Sequence, residues 1–366
     1  MKVLHVCQRD DPGEGGAARV AVELVRRSSP AVEALCVFVY GKPGAYNLEL
    51  PGRCRYLGLP SGQRVLQSFF RLWKLFREEK PDIIHHHDGL TWTHIVSGFW
   101  RDAFCVGHGH LLAPAPNARW RHRLAGSVQR WSYDHMICVS PSVAAAWRES
   151  GFPDDSISII PNGVDMDVFH LANMGQRTAI RLQFGVPADA MVVSYVGRLH
   201  NEVKCCDDFV RTLSALPDSV WGIMAGVGPD MEHLKTLAGE LGVGHRLKFL
   251  GLLNPATPCY QASNVFMLTS CYEPFGLVVL EAAACGIPVV GFEARGGVKE
   301  LLDCVNAVVP ASRTPAVMAE SIMRACMQRQ GFPGHGAIVR AEIGRRYAWE
   351  NVVKRIETVY SELSKV

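Results

Sequence analysis

Short apolar runs alternate with helical patterns along the whole chain, and this alternation leaves few folds open. In the first half the runs are Val3–Val6, Leu35–Val39, Ile83–His86, Phe104–Gly107, Met136–Val139 and Ile157–Ile160. In the second half they are Val192–Val196, Trp221–Ala225, Leu247–Leu250, Val265–Leu268, Pro288–Gly291 and Ala307–Val309. Runs of this length, each followed by a helical segment, are the pattern of strands covered on both faces by crossover helices. They predict an α/β protein with parallel, doubly wound sheets. A chain of 366 residues is too long for one ordinary core and suits two domains of about 150 to 190 residues. Pro161-Asn-Gly-Val-Asp165 and the polar stretch after it lack a sustained apolar period, which places the junction there. The expected division is 1–165, 166–345 and a closing helical segment, 346–366, whose apolar period around Ala348–Tyr360 suits docking.

Composition narrows the class. With 48% hydrophobic and 20% charged residues, the chain reads as folded rather than disordered. No stretch offers the roughly 18 to 20 apolar residues needed to span a bilayer. Met1-Lys-Val-Leu-His-Val-Cys7 runs straight into Gln8-Arg-Asp-Asp11 and reads as a first strand rather than a signal peptide, so a cytoplasmic protein is expected. Twelve cysteines are scattered without a C-x-x-C pair, which favours buried free thiols. The net charge of +3 hides a basic region from Arg53 to Arg148, with thirteen Lys/Arg against six Asp/Glu. Within it, Arg64–Arg77 carries an apolar and aromatic stripe beside cations, and Arg119-Trp-Arg-His-Arg123 adds more. Such helices either pack on a sheet with basic stems snorkelling out or lie on an anionic membrane at the inner face of the plasma membrane. Nucleic acid is not an expected partner, because no binding module is recognisable.

The segment with the most chemistry is Glu273-Pro-Phe-Gly-Leu-Val-Val-Leu-Glu281, followed by Ala282-Ala-Ala-Cys-Gly-Ile-Pro288. Pro274 and Gly276 favour a turn, Leu277 to Ala284 a helix, and Gly286 with Pro288 its end. Glu281 then lies in the helix and Glu273 in the loop before it. Were both helical, eight residues would part them by about 12 Å, too far for a hydrolytic carboxylate pair. The backbone amides around Phe275 to Val278 instead offer a diphosphate the positive end of a helix.

Val196-Gly-Arg-Leu-His-Asn-Glu-Val-Lys204 places Arg198 at a strand end and Lys204 six residues on, so a fork and a point charge can converge on one leaving diphosphate. Gly13-Glu-Gly-Gly-Ala-Ala-Arg19 follows the first strand and opens a helix. It satisfies only the looser G-x-G-x-x-A form of a dinucleotide fingerprint and serves equally well as a tight turn. Ala225-Gly-Val-Gly-Pro229 reads as a strand-to-helix bend. Histidines gather in the first half, at 85, 86, 87, 94, 108 and 110. Strand alternation sends His85 and His87 one way and His86 the other, and without a supporting cysteine or carboxylate pattern no metal site is expected.

The Glu-x7-Glu segment resembles that of the retaining GT-B glycosyltransferases, in particular glycosyltransferase family 4 (glycosyl transferases group 1). Gly13–Arg19, Arg198–Lys204, Gly226-Val-Gly-Pro229, Gly107-His-Gly109, Asp134–Ser142 and Pro161–Asp165 resemble further segments of that family in their proper order. The resemblance implies two Rossmann-like domains facing a central cleft, an acceptor-binding first domain and a nucleotide-sugar-binding second. It implies retaining transfer of a sugar from a nucleotide-diphosphate donor to an acceptor hydroxyl, in bacterial polysaccharide, lipid-linked saccharide or glycoconjugate synthesis. Glu273, His108, Arg198 and Lys204 are then the catalytic candidates, and Gly15, Gly16, Phe275, Gly276, Leu277 and Glu281 complete the donor site. Glu273 would hold sugar hydroxyls, Glu281 the ribose, and His108 would face the sugar. No metal or other cofactor is expected, since no Asp-x-Asp motif lies in a donor-binding context. One departure stands out: Cys205 occupies the position where the family has glycine after the lysine. Acceptor choice is expected from loops at 41–62 and 110–125. A nucleotide-sugar epimerase or hydrolase, a non-enzymic nucleotide-sugar-binding subunit and a nicotinamide oxidoreductase are the competing readings.

Overall fold

The computed structural model describes residues 1–14, 16–59, 65–87, 91–111, 120–331 and 334–365. Gly15 of the glycine loop, parts of both loops expected to choose the acceptor (60–62 and 112–119), Arg64 and Arg119 lie outside the described residues. The chain forms two compact units, one of Met1–Gly163 with Trp349–Val366 and one of Val164–Ala348. The chain therefore passes into the second unit once and returns to the first for its last helix, Trp349–Leu363.

The first unit is built on seven strands: β1 (Lys2–Arg9), β2 (Glu33–Tyr40), β3 (Cys54–Leu59), β4 (Ile83–His86), β5 (Phe104–Gly109), β6 (His135–Cys138) and β7 (Ile157–Ile159). They pair in the order β3-β2-β1-β4-β5-β6-β7, parallel throughout. Leu4, Val6, Val37 and Ile84 point from this sheet into a core closed by Leu72 and Phe76. The last two residues belong to the helix Val65–Glu79, so its apolar stripe is used for packing, and Trp73 meets Trp100 edge-on at 5.0 Å. Phe70, 69% exposed, is left to solvent. β3 had no counterpart among the apolar runs, because Cys-Arg-Tyr-Leu-Gly-Leu is a half-exposed edge strand.

The returning helix is fixed at its start and at its middle. Arg27 donates to Glu350 at 2.7 Å, and the Ser29 amide donates to Glu357 at 2.8 Å. Trp349 lies so close to Gly163 that a β-carbon there would come within 2.4 Å of the indole. That contact gives Asn162-Gly163 a structural reason to carry no side chain at its second residue.

The second unit has β8 (Met191–Val196), β9 (Val220–Ala225), β10 (Leu247–Gly251), β11 (Val265–Leu268) and β13 (Val289–Gly291) in one parallel sheet, ordered β10-β9-β8-β11-β13. Two short parallel strands, β12 (Tyr272–Glu273) and β14 (Arg295–Gly296), pair beside it. Glu273 thus lies in a short strand rather than a loop. Ala307–Val309 is not a strand either: it contributes a single bridge, Val308 to Val290, at the sheet edge. Tyr195, Phe209, Met224, Leu234, Val265 and Ile322 form the centre of the core. All twelve cysteines are free. Among the described residues, no helix is long and apolar enough to cross a membrane.

Candidate active site

In the five-stranded sheet the chain runs outward from β8 through β9 to β10, then returns to add β11 and β13 on the other side. The order therefore reverses between β8 and β11, and such switch points are where doubly wound sheets leave a crevice for ligands. The loops that leave these two adjacent strands carry the two residues of greatest interest. After β8 comes Gly197-Arg198-Leu199-His200 and a single helical turn, Asn201–Lys204. After β11 come Thr269, Ser270 and Cys271, then β12 with Glu273. Lys204 Nζ donates to Glu273 Oε2 at 2.7 Å, and Ser270 Oγ donates to the same oxygen at 3.2 Å. The loops are also stitched through backbone, with Thr269 Oγ1 donating to the Lys204 carbonyl at 2.6 Å and the Cys271 amide to the Val203 carbonyl at 3.1 Å.

Glu273 is only 8% exposed, so a charged carboxylate there needs the partners it has. Arg198 stands out differently. Its carbonyl accepts from Tyr195 Oη at 2.9 Å, which anchors the backbone, while the side chain is exposed. Its guanidinium makes no ion pair or hydrogen bond among the described residues. An anchored backbone with an uncommitted cation is the arrangement expected of a group that meets an anionic ligand.

Glycines let these loops approach their neighbours. A β-carbon on Gly226 would sit 1.8 Å from the Gly197 carbonyl oxygen, and one on Gly228 would sit 2.1 Å from that of Leu199. The Gly-x-Gly turn after β9 is therefore a bed for the Arg198 loop, held by Leu199 N–H donating to Val227 at 3.0 Å and Asp230 N–H donating to Leu199 at 3.2 Å. Gly296 plays the same part beneath Glu273, whose carbonyl oxygen would be 2.4 Å from an added β-carbon.

Gly276 has φ +102° and caps the helix Leu277–Ala284. The first bonds of that helix run from Val279 and Leu280 to the Gly276 carbonyl, so the amides of Leu277 and Val278 precede the intrahelical ladder, as at any helix start. Phe275 is buried and packs near Tyr347, with ring centroids 6.3 Å apart. On the helix, Glu281 Oε2 accepts from Tyr260 Oη at 2.7 Å. Burial, and after it the Glu281 charge, pushes the Tyr260 phenol well above its ordinary range, so it stays protonated and donates.

Cys205, in the glycine position of the resembled segment, has φ +47° and ψ +48°. This is the left-handed region, where a β-carbon is unfavourable and glycine is at home. Burial pushes its thiol up to about 11.

In the first unit, Gly16 opens the helix Gly16–Arg27. His108 lies on β5 and is buried, and neither of its ring nitrogens has a hydrogen-bond partner among the described residues. It stacks on His110 at 4.1 Å and on His85 at 5.1 Å. Burial, and then the neighbouring His110 and His5, holds its pKa well below that of a free imidazole. His108 is therefore neutral. As strand alternation predicts, His85 and His87 share a side, joined there by His5, while His86 faces His94 at 4.6 Å on the other.

Sequence patterns single out neither Tyr260, Ser270 nor Arg313. Arg313 donates to the carbonyls of Thr269 and Ser270, both at 2.8 Å, and so braces the loop that presents Glu273. Nothing local in Ala311-Ser-Arg-Thr-Pro315 marks that role.

Residues 14–168 match the family model described as Glycosyltransferase Family 4, and residues 190–328 match Glycosyl transferases group 1. The D-inositol 3-phosphate glycosyltransferase of Geodermatophilus obscurus is 34% identical over 98% of this chain and 88% of its own. The lipopolysaccharide core biosynthesis glycosyltransferase LpsE of Rhizobium meliloti is 28% identical over 81% of this chain and 80% of its own. Among solved structures, HepE of Anabaena in complex with UDP and glucose superposes with a TM-score of 0.86 at 23% identity, covering 99% of both chains. The chain is a glycosyltransferase of family 4, group 1 type, with the two Rossmann-like α/β units of the GT-B fold.

Proposed function

We propose that the protein moves a sugar from a nucleotide-diphosphate donor to an acceptor hydroxyl with retention of the anomeric configuration, and without a metal in the transfer step. The observation that carries this reading is the meeting of Lys204 and Glu273 at the β8–β11 switch point, where the loop after β8 also carries Arg198, whose guanidinium makes no ion pair or hydrogen bond among the described residues. In the reaction, the bond from the anomeric carbon to the diphosphate oxygen breaks and a bond to the acceptor oxygen forms on the same face. The acceptor proton passes to an oxygen of the departing phosphate, so no protein base or covalent nucleophile is assigned. Arg198, Lys204 and the amides of Gly276 and Leu277 stabilise the charge that develops on the diphosphate.

Glu273 holds the sugar hydroxyls, with Lys204 and Ser270 fixing its orientation. Glu281, steadied by Tyr260, holds the ribose. His108, neutral, offers the sugar an uncharged hydrogen bond. Gly16 contributes backbone near the donor phosphates.

The relatives act on an inositol phosphate or in lipopolysaccharide core synthesis, and HepE binds UDP and glucose. These support a nucleotide sugar as donor and a polyol, saccharide or lipid-linked saccharide as acceptor, in bacterial glycoconjugate synthesis. A thermal-shift panel of nucleoside diphosphates and nucleotide sugars tests donor binding, since a ligand of the native state raises its stability by mass action. The matching nucleotide sugar is expected to raise Tm, and product NMR to show the donor's anomeric configuration with an added chelator changing nothing. An inverted product would contradict retention, and sugar released equally fast without acceptor would favour a hydrolase.

A further inference from the structure

The first unit holds a histidine cluster larger than donor recognition needs. His5 from β1, His85 and His87 from the end of β4, and His108 and His110 from the end of β5 come together at neighbouring strands. His5 Nδ1 and His87 Nε2 are 2.9 Å apart, and His87 Nδ1 and His110 Nε2 are 3.1 Å apart. One ring nitrogen from each of His87, His108 and His110 lies within 4.8 Å of the other two. We propose that His87, His108 and His110 bind a single first-row divalent transition-metal ion of the class of Zn2+, Co2+ or Ni2+, at a site carried entirely by the first unit.

Three features support this. His108 is 8% exposed, yet neither of its ring nitrogens has a partner among the described residues, a costly state for a buried polar group that a metal bond relieves. One of the three spacings already suits coordination: with metal–nitrogen bonds of about 2.0 to 2.1 Å, tetrahedral ligand atoms stand ~3.3 Å apart, and His87 Nδ1 and His110 Nε2 are 3.1 Å apart, while all three ligand atoms lie within 4.8 Å of one another. The outer shell is also in place. With the metal on His87 Nδ1, the opposite nitrogen donates to His5 Nδ1, which fixes tautomer and ring orientation as ligating histidines require.

A rival trio, His5, His85 and His87, meets the same distance criterion. All three of its members are fully buried. The His110 trio is favoured because His110 is partly exposed, which gives an ion a way in. Neutral imidazoles without thiolate or carboxylate suit borderline metals rather than Mg2+ or Ca2+. If His108 also contacts the sugar as proposed above, metal loading withdraws it, and excess Zn2+ is expected to lower transfer.

The test uses the full chain, stripped with a chelator and titrated with Co2+, and reads a spectrum rather than activity. Expected are visible d–d bands that saturate at one ion per chain, without the near-ultraviolet sulfur-to-cobalt band that any of the twelve cysteines would give. H110Q, at the partly exposed ligand, and H108Q are each expected to weaken binding at least about tenfold. H233Q, at an exposed histidine of the second unit, is expected to leave it unchanged. H110Q decides the matter should H108Q fail to fold. Absence of saturable binding, a sulfur band, or binding unaffected by H110Q would overturn the proposal.

Discussion

Lys204 and Glu273 are 69 residues apart in the chain and 2.7 Å apart in space. Each was singled out by a local pattern, an acid before a glycine-opened helix and a cation after a strand, and its expected role came from the family resemblance. What could not be read was the bond between them, or the support from Ser270 and Arg313, because no local pattern connects the loops of two strands. The two cations predict different mutant behaviour. Lys204→Ala is expected to cost about 3 kcal/mol of transition-state stabilisation, roughly a hundredfold or more in kcat/KM. It is also expected to lower Tm, since it strips a buried carboxylate of its cation. Arg198→Ala should lower kcat/KM comparably while leaving Tm unchanged, its side chain being exposed and unpaired among the described residues. Steady-state kinetics beside thermal denaturation of both variants checks this split. At Cys205 the departure from the family's glycine was visible and its meaning was not; φ +47° now supplies it. Cys205→Gly is expected to raise unfolding free energy by about 1 kcal/mol, read from urea titration, because the left-handed conformation no longer carries a β-carbon.

At the level of elements, pattern reading succeeded where strands are buried on both faces and failed at the edges. β3 escaped because a half-exposed edge strand needs no continuous apolar run, and Ala307–Val309 misled because its apolar residues cover the sheet edge with one bridge instead of a ladder. The basic aromatic stripe of Val65–Glu79 is explained largely by packing, through Leu72, Phe76 and Trp73. Gly226-Val-Gly228 shows why glycine spacing is informative even when it binds nothing itself: it lets one loop lie against the backbone of another. Gly228→Ala would press a β-carbon on the Leu199 carbonyl, 2.1 Å away, and push the Arg198 loop from its bed. Weakened nucleotide binding by calorimetry, with secondary structure intact by circular dichroism, is the expected outcome. Unchanged affinity would show that the Arg198 loop can move without consequence.

For the molecule as a whole, the division into two Rossmann-like units followed from two sets of apolar runs, whereas the histidine cluster depended on which strands became neighbours. His5 could not be joined to His85 and His87 until β1 and β4 were known to pair. That cluster shapes the acid stability of the protein. Burial, with a smaller push from Arg53, holds His5 at about 3, and burial alone holds His110 at about 3. Unfolded histidine takes up its proton near pH 6.5, so below that pH the unfolded state binds protons that the native state refuses. Stability is therefore full above about pH 6.5 and falls as pH is lowered toward 3, by about 2 kcal/mol for each of these two imidazoles at pH 5. Tm measured across this range should drop on the acid side and be flat above it; an acid-side plateau would mean that these imidazoles take up protons in the native state. The most direct test of the central claim, that the β8–β11 switch point grips a diphosphate, is calorimetric titration of the preferred nucleoside diphosphate into wild type, Arg198→Ala and Lys204→Ala. The expected result is at least about a tenfold loss of affinity in each variant, while the corresponding nucleoside binds all three proteins alike; equal diphosphate affinity in all three would contradict it.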